Sequence, residues 1–149
     1  MRMDFRLSED WDEDFADMAT VEETDLRYYV AQGDVVLGTD QTDLSADWGW
    51  IPLVDFALAL REIADALSDA EGSETFEFTE SEATLQFDRV GDKVVITSSY
   101  TPGEVTVPFS DFRKQVDEFA QRLDKELLQR HPELGLNPEY QRLKLSRSH

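Results

Sequence analysis

Asp10, Asp12 and Asp14 stand at i, i+2 and i+4, the spacing with which calcium-binding loops begin, because alternate carboxylates can converge on one hard cation. The rest of such a loop is missing. Phe15 occupies the position where glycine makes the sharp turn, and Val21 that of the bidentate glutamate. The run reads instead as an acidic, solvated surface, and neither a metal nor another cofactor is expected. His131, beside Pro132, and His149, at the chain end, have no candidate nucleophile near them in the sequence. Ser98 and Ser99 lack the glycine-flanked elbow of an activated serine, and no glycine-rich phosphate-binding motif occurs. Paired carboxylates can act as acid and base in glycoside hydrolysis, but 33 acidic residues single out no pair. Cysteine is absent, which removes disulfides, thiolate catalysis and Cys-ligated metal centres and is compatible with a reducing cytosol. These observations point to a binding protein and away from an enzyme.

The formal charge of −19 conceals a division. Residues 1–92 carry 25 acids against 5 bases, whereas residues 93–149 carry 8 acids against 9 bases. A polyanionic first part repels nucleic acid and anionic membranes and attracts cationic partners in a salt-dependent way. The densest stretch holds Glu9, Asp10, Asp12, Glu13, Asp14, Asp17, Glu22 and Glu23, with no lysine or arginine between Ser8 and Asp25. Trp11 lies inside it and is expected at a surface margin. Trp48 and Trp50 flank Gly49 and have two readings: plugs closing one end of the core, or aromatic anchors that bury area and hold arginine by cation–π contact. The candidate partner-binding set is therefore this acidic run with Trp11, Trp48 and Trp50.

The elements that must position these residues follow from periodicity. Leu53, Phe56, Ala57, Leu60, Ile63, Ala64 and Leu67 form one apolar stripe of a helix over 52–70, with Pro52 in its first turn and Gly72 just past its end. Phe112, Val116, Phe119, Ala120, Leu123 and Leu127 form a second stripe, begun by Ser110 and stopped by Pro132. Met3, Phe5 and Leu7 alternate as a first strand. Leu26, Tyr28 and Val30 alternate before Gly33-Asp34 and Val35–Leu37, which reads as a hairpin, and 39–47 reads as a polar loop. Trp11, Phe15 and Met18 have the spacing of a short helix after Ser8. Residues 74–108 read as a four-stranded antiparallel meander, turned at Gly91-Asp92 and Pro102-Gly103. The expected fold is α+β, an antiparallel sheet of about six to seven strands with two helices packed on one face. It forms a single domain over 1–132, followed by a partly disordered tail over 133–149. No signal peptide or membrane span is apparent, so a cytoplasmic protein is expected.

In size, charge and element order the chain resembles the small, acidic, single-domain α+β immunity proteins that bacteria carry against polymorphic toxins, at the level of overall design and without a shared motif. The resemblance implies a basic protein partner, a toxin or nucleic-acid-binding protein, whose arginine- and lysine-lined groove is blocked by carboxylates standing in for phosphates. It implies no direct binding of nucleic acid or membrane. The alternative is a salt-adapted cytosolic interaction domain, since four lysines against ten arginines and abundant acids suit a saline cytosol. A carboxylate- or metal-dependent enzyme is the third reading.

Overall fold

The computed structural model describes residues 1–146 apart from Asp10, Glu13, Asp14 and Ala16. Among the described residues, seven strands are divided between two antiparallel sheets, not gathered in one as expected. The first sheet has the order β1 (Arg2–Leu7), β2 (Gln32–Gly38), β3 (Ala46–Pro52). The second is the meander β4 (Gly72–Glu77), β5 (Thr84–Val90), β6 (Lys93–Ser98), β7 (Glu104–Pro108). Helices α2 (Leu53–Ala66) and α3 (Phe109–Arg130) pack on each other; α2 also touches β2, β3 and β4, and α3 touches β1, β6 and β7. The helices thus serve both sheets, and the picture of two helices on one face of one sheet is replaced.

A chain of aromatic rings runs through this arrangement. Phe5 of β1 meets Phe119 of α3 edge-on at 5.3 Å, Phe119 meets Phe56 of α2 at 5.5 Å, and Phe56 meets Phe76 of β4 at 5.1 Å. Each such ring, once buried, stabilises the fold by about 2–3 kcal/mol. Phe56 and Phe119 fall on the two stripes that periodicity picks out, so the pattern that makes the helices also makes the core.

Several elements depart from expectation. Leu26 to Val30 is no strand: α1 (Glu23–Tyr28) is a helix, with Glu23 and Asp25 in its first turn. Ala31 then takes a left-handed conformation, φ 64°, and turns the chain into β2. Gly33 is therefore inside a strand and not in a turn. A Cβ there would lie 2.0 Å from the Arg6 carbonyl oxygen, so only glycine permits the approach of β1. Trp48 to Trp50 belong to β3, beyond the loop. Pro52 and Pro108 cap α2 and α3 from outside, so Ser110 is not the cap of the second helix.

Among the described residues, the segment after Pro132 holds helical structure packed on the core. A 3₁₀ turn (Pro132–Leu136) and α4 (Pro138–Leu143) bury Leu134, Tyr140 and Leu145 in the common core. Asn137 joins them: its amide donates to the carbonyls of Met18 and Val21, both at 2.9 Å, and its oxygen accepts from the backbone of Glu139 and Tyr140. The tail is thereby bonded to the end of the acidic run.

Candidate partner-binding surface

Glu9 and Asp12 of the acidic run are held at the C-terminal end of α3. Arg130 donates to the Glu9 carbonyl at 3.0 Å and to the Asp12 carboxylate at 3.2 Å, while His131 Nε2 donates to the same carboxylate at 2.8 Å. Burial pushes the Asp12 carboxyl up, but the hydrogen bond from His131 and the charge of Arg130 outweigh it and hold the group below its ordinary range. Trp11 is only 6% exposed, which corrects its expected place at a surface margin. Its ring packs edge-on to His131 at 5.5 Å with the Arg130 guanidinium 5.4 Å away. The cause is local: Arg130 and His131 supply cationic and polar cover that no residue within the run could give.

Asp12 and Trp11 thus face inward. Glu9, Asp17, Glu22 and Glu23 are exposed. Asp17 accepts from the Ala19 N–H at 2.9 Å, a local bond that leaves its carboxylate in solvent. Asp10, Glu13 and Asp14 lie outside the described residues, and the calcium-like spacing falls largely on them. Turns are found at Trp11-Asp12 and Met18-Ala19, and the short helix considered for this stretch falls in part on residues outside those described.

The two tryptophans of β3 differ in burial. Trp48 is half-buried against Phe78 at 5.0 Å and Tyr100 at 5.3 Å, and acts as a plug. Trp50 stacks on Trp48 at 5.4 Å and is 38% exposed. Between them Gly49, at φ 80°, donates to Asp34 at 2.8 Å, and its carbonyl accepts from the Ser8 hydroxyl at 2.5 Å. The start of the acidic run is thereby tied to the tryptophan strand.

Trp50 lines a cleft of about 220 Å³ with Tyr28, Tyr29, Pro52 and Glu80. Tyr29 is 49% exposed, and Glu80 is held at the lip in a left-handed conformation at φ 62°. Sequence reasoning missed the tyrosines because it placed them on a strand. A wider depression of about 790 Å³ on β1 and β2 carries Arg2 and Arg6 as well as Asp4, Asp40, Asp43 and Asp47, so it offers no field of one sign.

The charge layout has a structural cause. Arginine side chains act as ties between elements. Arg89 donates to the Leu67 and Ser68 carbonyls at the end of α2 and lies 4.3 Å over the Phe109 ring. Arg61 donates to the carbonyls of Leu143 and Lys144. Arg122 donates to the Met3 carbonyl at 2.7 Å, Arg113 to that of Ala64 at 3.2 Å, and Arg27 to the buried Asp55 at 2.7 Å. Cationic heads committed in this way do little to neutralise exposed carboxylates elsewhere.

Fold and surface together define an α+β protein of two antiparallel sheets with a strongly anionic exterior. Comparison with family models, curated proteins and solved structures gives no match to this chain. Among the described residues no helix is long and apolar enough to cross a membrane.

Proposed function

We propose that this protein is an acidic binding module that engages and blocks a basic protein, in the manner of immunity or nuclease-inhibitor proteins whose carboxylates occupy a groove made for phosphates. The supporting observation is the use of six arginines as internal ties, while Glu9, Asp17, Glu22 and Glu23 stay exposed and Trp50 is partly exposed on β3. Carboxylates in such an array speed encounter and select partners by charge. Trp50 supplies the buried contact that charge alone does not, because its stacking on Trp48 fixes the ring before binding. The cleft beside it is smaller than a small-molecule site and suits one side chain, an arginine between aromatic walls with Glu80 at the rim. Asp12 and Trp11 act in this reading as supports of the acidic run and not as contacts.

Capture from the native host's lysate on the immobilised protein tests the proposal. Retained proteins enriched in basic chains and released by rising salt support it. A retained set with no excess of basic proteins at low salt contradicts it. Unfolding of the free protein in dilute buffer, reversed by molar salt, favours salt adaptation instead.

A further inference from the structure

Strand β4 is an edge of its sheet, paired only with β5. The register fixes which of its backbone groups remain. Phe78 donates to the Ala83 carbonyl at 3.1 Å, which makes that pair a hydrogen-bonded one; alternation along the ladder then makes Phe76 with Leu85, and Glu74 with Phe87, bonded pairs as well. Ser99 donating to the Thr84 carbonyl at 3.0 Å confirms the phase, since Thr84, opposite Glu77, turns its backbone to β6. Ser73, Thr75 and Glu77 therefore point their N–H and C=O groups away from the sheet, and among the described residues none of these groups is bonded.

A groove of about 450 Å³ runs beside this edge, between β4 and α2. Ala59, Ile63 and Ala66 form its floor, and Glu62, Glu74 and Glu77 its rim, with no lysine or arginine lining it. An open edge supplies hydrogen bonds, an apolar floor takes alternate side chains and an anionic rim selects cations. We infer that this groove binds an extended, basic segment of a partner protein by addition of a strand to β4. The inference rests on the basic-partner reading and adds to it a place and a conformation. A second copy of this chain is the poorer occupant, because edge-to-edge pairing would bring two sets of rim glutamates and two chains of charge −19 together.

The test uses the full chain and a capped peptide of alternating arginine and valine, about six residues to match the length of β4. Its binding is read by fluorescence anisotropy and by amide hydrogen exchange. The expected result is binding with new protection at the amides of Thr75 and Glu77. Thr75→Pro removes an outward N–H while leaving the β5 ladder intact, as proline is tolerated on edges. It should weaken binding about tenfold, the equivalent of one net hydrogen bond at the upper end of its range. The same loss is expected with unaltered protein when alternate peptide amides are N-methylated, so a poorly folded variant leaves the question decidable. Equal affinity for the methylated peptide overturns strand addition while leaving a basic-partner surface standing. Equal protection of β4 by a glutamine-for-arginine peptide overturns the charge selectivity of this groove and with it the inference, while the acidic run and Trp50 remain as the basic-partner surface. A concentration-dependent dimer that protects the same amides without peptide overturns the inference in favour of self-pairing.

Discussion

His131 donates from Nε2 to the Asp12 carboxylate across 2.8 Å, joining positions 119 residues apart. On its other side Nδ1 lies 3.3 Å from Glu133, and Arg130 shares the Asp12 carboxylate. Glu9 and Asp12 of the acidic run are thus clipped to the end of α3 by two side chains.

Asp12→Asn should destabilise the protein by about 1–3 kcal/mol, since it removes a charge-assisted acceptor from two donors. The pH dependence has a definite sign. The native Asp12 carboxyl titrates below its ordinary value of 3.8, so its contribution is full above that value and is lost as pH falls through the lower native one. Denaturant melts from neutral to acid pH should show the two proteins converging on the acid side, with unfolded controls fixing the baseline.

Trp48→Ala and Trp50→Ala should differ in kind. Loss of Trp48 opens a void against Phe78 and Tyr100 and should cost about 3 kcal/mol. Loss of Trp50 should change stability by less than about 1 kcal/mol while weakening partner binding. Thermal melts and binding assays on both variants check the division; a Trp50→Ala protein that melts as early as Trp48→Ala would make both rings structural.

Asn137→Ala should cost about 3 kcal/mol, because it leaves the Met18 and Val21 carbonyls without donors and removes the cap of α4. Proteolysis should then begin at the C-terminal segment, ahead of the sheets.

Two helices and the meander were legible in the sequence because their apolar positions obey a single period over many residues. Leu26 and Val30 misled because a separation of four suits both an alternating strand and a helix, and the acids at Glu23 and Asp25 were the better guide. The tail's buried residues, Leu134, Tyr140 and Leu145, are too widely spaced to show a period, and what fixes them is the reach of Asn137 to residues 119 and 116 positions away. Contacts of that range, like those of His131 and Arg130 with Asp12, leave no local signature. The charge division was visible outright, whereas the inward turn of Trp11 and Asp12 was not. The open edge of β4 could not be read at all, since strand order within a sheet is not written in periodicity.

The phenols of Tyr100 and Tyr140 are both pushed above their ordinary value. Burial and then Asp43 act on Tyr100; burial, a hydrogen bond to Asp124 at 2.5 Å and its charge act on Tyr140. A raised native value means stability that is complete below the ordinary phenol pKa of 10.0 and lost as pH rises above it. Ultraviolet titration should find these two ionising together with alkaline unfolding. Tyr140→Phe should remove its share of that alkaline dependence.

The most direct measurement is the association rate between this protein and the basic partner it captures, taken across ionic strength for the natural chain and for the variant Glu9→Gln, Asp17→Asn, Glu22→Gln, Glu23→Gln. A rate that falls steeply with salt for the natural chain, and a variant that is slower and less salt-dependent while melting at the same temperature, is the predicted result. Equal rates for the two proteins at every salt concentration would contradict an acidic docking surface.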